Sequence, residues 1–165
     1  MDSARIYIQQ SYELAEKMNS RRAIGEALKL MGQSYPTSNQ LSLALEFFRS
    51  SIPYLKEINN DASLSETYPE MARLFKSSHA SDSAFIYGYN SYEISNRNGF
   101  LHESLASTEL LSSLYKDRGN IDSAYFYLHK WKVSSDSLFS KQGIQQLLSM
   151  DLDEKIRLRK VCLGK

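Results

Sequence analysis

Histidines, cysteines, serines and acidic pairs are the side chains that most often do chemistry, and their spacing sets the first constraint. The three histidines are His79, His102 and His129, and none stands three or four residues from another. A metal ion needs ligands that converge, and a helix brings neighbours together only at those spacings. They read as turn or surface residues. Cys162 is the single cysteine, in a basic tail beside Lys160 and Lys165 with no histidine to serve as its base. One cysteine also excludes a disulfide framework and a cysteine-rich zinc site. The many serines include no G-x-S-x-G, the turn that exposes a nucleophilic serine. Neither glycine-rich phosphate cradle, G-x-G-x-x-G or G-x-x-x-x-G-K-[ST], is present. Asp151, Asp153 and Glu154 read as a solvated helix face. Eleven tyrosines could stack on bases, but a net charge of +1 gives no electrostatic basis for nucleic acid. No catalytic residue, cofactor or metal is expected.

The elements that carry these side chains repeat. Shifted against itself by 40 residues, the chain aligns Asp2-Ser3-Ala4 with Ser42-Leu43-Ala44, Asp82-Ser83-Ala84 and Asp122-Ser123-Ala124. Tyr35 falls on Phe75 and Tyr115, Gly32 on Ala72 and Ser112, Met31 on Met71 and Leu111, and Ser11 on Ser51 and Ser91. No insertion breaks the register. A fixed period of this size is the signature of a repeat array, and 165 residues suit a short one. The apolar fraction of 42% and charged fraction of 24% are those of an ordinary globular chain. Seven glycines and three prolines are too few for an all-β sandwich. No apolar run approaches the ~20 residues that span a bilayer, and no signal-peptide core is evident.

Each period reads as two amphipathic helices. Leu28, Met31, Gly32 and Tyr35 share one helical face, Pro36-Thr37-Ser38-Asn39 is a turn cluster, and Leu41, Ala44, Leu45, Phe48 and Ile52 mark a second face. In the third period Leu110, Leu111, Leu114 and Tyr115 precede Asp117-Arg118-Gly119-Asn120, then Ala124, Tyr127, Leu128 and Trp131. Gly119-Asn120 suits a left-handed helix end, and Asp82 and Asp122 suit a cap or first turn. The small columns Gly32/Ala72/Ser112 and Ala44/Ala84/Ala124 allow close helix approach, and the aromatic column fills the space beside them. The expected helices are a lone one near 2–18, pairs near 21–58, 62–97 and 101–135, and a long last one near 137–160. Pro53 and Pro69 fall inside two of them, with kinks expected near Arg49 and Ser65. The alternative at Pro69 is a late-starting helix with the proline in its first turn.

A small residue, three on an aromatic, nine on an alanine: this spacing resembles the tetratricopeptide repeat (TPR). Met31-Gly32-x-x-Tyr35, Ala44 and Phe48 carry it first, Met71-Ala72-x-x-Phe75 and Ala84 second, Leu111-Ser112-x-x-Tyr115 and Ala124 third. The period departs from the family's usual 34, Gly88 stands where the family prefers a large residue, and Trp131 replaces the serine of Ser51 and Ser91. HEAT-type repeats are the rival at fold level. The resemblance implies an all-α, right-handed solenoid of antiparallel helix hairpins over residues 1–136, then a capping or transmission helix and basic tail over 137–165. The spacing and the closing Asp136-Ser137-Leu138-Phe139 before a long charged helix look like TPR regions of Bacteroidetes-type sensor histidine kinases or transcriptional regulators. That implies a sensing or regulatory segment of a larger signalling protein, periplasmic in a membrane sensor kinase and otherwise cytoplasmic. A structural scaffold or assembly subunit is the alternative.

In TPR superhelices the first helices line a concave face. By register its residues here are Glu26, Lys29 and Gln33; Glu66, Pro69, Arg73 and Lys76; and Glu109, Ser113 and Lys116. Lys29, Arg73, Lys76 and Lys116 form a loose basic series for an acidic protein or peptide partner. The carboxylate clamp of chaperone-binding TPRs is not reproduced, because Gln33, Arg73 and Ser113 occupy its asparagine column. A solvated mixed-charge face is the plain alternative. The ends differ. Residues 2–19 are a second-type helix without its first, leaving Ile6, Ile8 and Tyr12 short of cover, as though the natural protein begins earlier. Ile144, Leu147, Leu148, Leu152 and Ile156 form a stripe fit for a solenoid cap or a homodimeric coiled coil. Residues 138–148 are expected to pack over Trp131 and Leu128.

Overall fold

The computed structural model describes residues 3–35 and 40–163, and their side chains except those of 142–144 and 146–163. Seven helices make up the described chain: α1 (Ser3–Lys17), α2 (Arg21–Gln33), α3 (Leu41–Glu57), α4 (Asp61–Ser77), α5 (Ser81–Asn98), α6 (Leu101–Asp117) and α7 (Ile121–Leu163). Each packs chiefly on the next, as in a solenoid of helix hairpins. From α2 onward the helices begin at Arg21, Leu41, Asp61, Ser81, Leu101 and Ile121, every 20 residues. The 40-residue period is thus two successive 20-residue steps from one helix start to the next.

The links are as regular as the helices. Asn19, Asn59, His79, Gly99 and Gly119 all take positive φ, between 47° and 73°, the left-handed conformation that closes a helix. The next residue donates its amide back five places: Ser20 to Ala15, Asn60 to Leu55, Ala80 to Phe75, Phe100 to Ser95 and Asn120 to Tyr115, at 2.9–3.0 Å. This satisfies carbonyls the helix end would orphan. Ser20, Asn60 and Asn120 then cap the following helix by accepting from the amides of Ala23, Ser63 and Ser123. Asp82 and Asp122 are first-turn acids. His79 is one of the left-handed turn residues.

Packing follows the repeat columns. Ala44, Ala72 and Ala84 are fully buried and Ala124 nearly so. A Cβ on Gly32 would lie 2.7 Å from the Phe48 ring, so only glycine admits that ring. Ser112 donates to the Ala124 carbonyl at 2.8 Å, marking the same close approach in the third repeat. The aromatic column stacks on a second one. Tyr35 lies on Phe47, Phe75 on Tyr87 and Tyr115 on Tyr127, with centroids 5.4–5.6 Å apart and planes within 10°. Gly88 is buried against Leu111 and Leu114 of α6, which explains the absence of a large residue there.

Neither proline interrupts its helix. Pro53 is exposed, so the carbonyl of Arg49, deprived of its usual donor, lies toward the solvent side of α3. Pro69 is buried well inside α4, which begins at Asp61 behind the Asn60 cap, so the late start does not occur. Its missing amide would leave the Ser65 carbonyl without a donor. Ser91 of α5 supplies one, donating from Oγ at 3.2 Å.

The C-terminal end corrects the expected pair of helices, one ending near 135 and another starting near 137. α7 is one helix from Ile121 to Leu163, with no break at 136/137. No glycine or proline occurs between Gly119 and Gly143 to stop it. Residues 138–148 continue the helix that carries Leu128 and Trp131, so they do not fold back over them. Leu128 is 50% and Phe139 66% exposed, while Trp131 is half-buried. The stripe from Ile144 to Ile156, and Cys162, lie outside the described side chains.

Candidate interaction face

The α4 backbone comes close to both α2 and α6, whereas α5 and α7 meet through side chains, Lys130 donating to the Tyr92 hydroxyl at 2.8 Å and Tyr92 lying edge-on to Tyr127. The first-type helices therefore form one closely spaced row, and the sequence-derived face residues lie along it.

The row is tied together by ions and hydrogen bonds. Lys29 of α2 is buried, and its Nζ lies 2.7 Å from Glu66 of α4 and 3.0 Å from Glu26. Glu26 also accepts from the Ser63 hydroxyl and, at 2.7 Å, from Asn60 Nδ2. Burial alone would raise the Glu26 carboxyl; the bonds from Ser63, Lys29 and Asn60 and the Lys29 charge outweigh it and hold the group below its ordinary value. Burial alone would lower Lys29; its bonds to Glu66 and Glu26 outweigh that and raise it. Lys76 joins α4 to α6, donating to Ser113 and pairing with Asp117 at 3.1 Å. Arg73 pairs with Glu70 at 2.6 Å on its own helix.

The expected basic series is therefore not a set of free cations. Lys29 is committed to the α2–α4 contact, Lys76 to α4–α6, and Arg73 to its neighbouring acid. Lys116 and Glu109 are exposed on α6. Interior cations need partners; Glu26 and Glu66 serve Lys29, and Asp117 serves Lys76.

Part of the set does converge. Gln33, Glu66, Pro69 and Arg73 line one groove of about 330 Å³, together with Ser65, Glu70, His102, Glu103 and Ala106. Buried Pro69 and small Ala106 lie among polar side chains from α2, α4 and α6. Lys29, Lys76, Glu109, Ser113 and Lys116 are not part of this lining. Glu70, His102 and Glu103 were not legible as face residues. Glu70 lies off the repeat column, and His102 and Glu103 belong to the first turn of α6, where acids usually read as dipole partners. With Glu66, Glu70 and Glu103 against Arg73 and His102, the lining is mixed in charge and more acidic than basic.

Among the described residues, no group of three or more His, Cys, Asp or Glu could hold a metal ion. Among them, too, no helix is long and apolar enough to cross a membrane. Fold and face together define an all-helical hairpin array with a polar inner row. No protein-family model matches the chain, and no curated protein matches it.

Proposed function

We propose that this chain is a non-catalytic protein–protein or peptide interaction module of TPR type. The observation that carries the proposal is the groove on the first-helix row, where three successive first-type helices present Gln33, Glu66, Arg73 and Glu103 around Pro69. An extended segment crossing the row would meet a new helix at each step, with Pro69 and Ala106 between polar side chains. The 40-residue TPR resemblance extends this reading to a regulatory or sensing segment of a larger bacterial signalling protein. The scaffold alternative is favoured by a different observation, the exposed apolar faces of the first and last helices, with Tyr7 at 68% and Tyr125 at 67% exposure.

The test is partner capture from cells of the source organism, with captured proteins identified by mass spectrometry. Arg73→Glu combined with Glu103→Lys rearranges groove charge without changing net charge. Glu46→Lys with Lys56→Glu does the same on exposed positions of α3. The groove variant is expected to lose the partner and the α3 variant to keep it. Binding should also weaken as salt shortens electrostatic reach below ~8–10 Å. Equal capture by both variants would reject the groove as the binding face.

A further inference from the structure

We propose that a cavity between α3, α4 and α5 binds a free α-amino acid with an apolar side chain, held as its zwitterion. The cavity measures about 290 Å³, the lower end of the range for small-ligand pockets. It shares no residue with the groove on the first-helix row and does not depend on it.

Tyr68 of α4 marks the cavity as a site. The residue is 3% exposed, its ring lies against Tyr87, and its hydroxyl has no hydrogen-bond partner among the described residues. No fully buried side-chain polar atom among them lacks a partner, so this hydroxyl opens onto the cavity that Tyr68 lines. Buried hydroxyls ordinarily find partners. Burial, then the neighbouring Tyr87 and Asp61, raise the Tyr68 hydroxyl above its ordinary value, so at neutral pH it is a proton donor.

The rest of the lining says what the donor is for. Leu64 and Ile94 form an apolar wall. At the rim stand two exposed charges of opposite sign, Lys56 of α3 and Glu93 of α5, neither in an ion pair among the described residues. The other two charges are closed on each other: Arg97 donates to Asp61 at 2.9 Å, and Asn98 donates to the same carboxylate. Asn59 and Asn90 add neutral amides. A simple anion would face Glu93, and a simple cation would face Lys56. A ligand carrying both signs meets both: its carboxylate takes Lys56 and the Tyr68 hydroxyl, its ammonium takes Glu93, and an apolar side chain lies on Leu64 and Ile94.

The repeat makes the hollow, and this repeat equips it. Forty residues on, Asn96, Ser104, Thr108, Lys130, Val133 and Ser134 line a cavity of about 250 Å³. They stand in the columns of Lys56, Leu64, Tyr68, Asn90, Glu93 and Ile94. There the Thr108 hydroxyl donates within its own helix, to the carbonyls of Ser104 and Leu105. Lys130 donates to the Tyr92 hydroxyl, and the lining holds no carboxylate. The second hollow therefore serves as an internal control.

The probes are L-valine, L-leucine, L-methionine and L-phenylalanine, titrated singly into the whole chain and followed by amide chemical shifts. Saturable binding of at least one is expected, with shifts at residues 56–68 and 90–97 and none at 130–134. Tyr68→Phe keeps the buried ring and removes only the unpartnered hydroxyl, so its helical circular dichroism should match the parent. Its affinity should fall at least about tenfold, the loss of one hydrogen bond to a charged group. Lys56→Gln should weaken the amino acid but not its carboxamide. Glu93→Gln should weaken the amino acid but not its deaminated acid. Arg73→Glu with Glu103→Lys in the groove should change neither. Absence of saturable binding by all of the probes would overturn the proposal. So would equal affinity in Tyr68→Phe, or carboxamide and deaminated acid binding as tightly as the amino acid itself.

Discussion

At the residue scale, two glycines separate a steric requirement from an opportunity. Alanine at Gly32 would press on the Phe48 ring, which is fully buried and has nowhere to retreat. Gly32→Ala should cost about 1–3 kcal/mol by overpacking. Alanine at Gly88 would meet the end of Leu111 at 3.2 Å, a flexible methyl, and would gain about 1 kcal/mol of helix propensity. Gly88→Ala should be near neutral, and urea denaturation of the pair measures the difference. Lys29 shows where the sequence misleads. Read alone, a lysine on the first-helix face is a ligand for an acidic partner; its burial depends on Glu66, 37 residues away. The recurrence of Glu26 and Glu66 in one column was the available signal. Lys29→Met should cost about 1–2 kcal/mol, below the 3–5 of a fully enclosed pair, because Glu66 is half-exposed and can turn to water. The pH dependence follows from the two shifts. Glu26 is depressed in the fold, so its contribution is complete above the ordinary glutamate value of about 4.3 and fades as pH falls through the folded value. Lys29 is raised, so its contribution holds below the ordinary lysine value and is lost as pH rises through the folded one. Parent stability should drop at both extremes more steeply than that of Lys29→Met, by thermal melts across pH.

At the scale of elements, what was legible depended on whether a residue acts through its own helix or across to another. Helix pairs, small columns and the first aromatic column could be read because i, i+3, i+4 spacing and the 40-residue register are local facts. The partner column Phe47/Tyr87/Tyr127 was missed in part, since stacking pairs residues across a hairpin. The break expected at Asp136-Ser137 failed because neither residue stops a helix once the preceding turns are packed on α6. Pro69 is the clearest cross-helix case. The sequence shows the lost amide but not Ser91, which replaces it on the Ser65 carbonyl. Ser91→Ala should therefore cost about 1–2 kcal/mol, the penalty of a buried unsatisfied carbonyl. Pro69→Ala restores the intrahelical donor, so in its presence Ser91→Ala should cost little. A double-mutant cycle by denaturant melts measures that coupling, and additive effects would mean that Ser91 does not serve this carbonyl.

At the scale of the whole molecule, the array behaves as a line of neighbours. α1 touches α2, α7 touches α6, and among the described residues no contact between helices reaches beyond the second helix along. Stability in such an array is close to a sum of local and nearest-neighbour terms, so damage should have a position. Ala84 is the point to apply it, being fully buried where α4 and α5 approach. Arginine there must either separate the helices or bury an unpaired charge, and the cost should be about 3 kcal/mol or more. The loss falls first on the α4–α5 pair. It then reaches α6, which loses its packing on both, and α3, which loses its packing on α4. The α1–α2 pair keeps its own cluster of Ala15, Ile24, Leu28 and Met31 and gives up the ties of Lys29 and Glu26 to Glu66, Ser63 and Asn60 with its weaker contact with α4. Hydrogen exchange on Ala84→Arg should show amides of residues 61–98 deprotected most, those of α3 and α6 less, and those of α2 least. Uniform deprotection along the chain would mean that the array unfolds as one cooperative block. Protection at residues 61–98 equal to the parent's would place Ala84 outside the close helix approach.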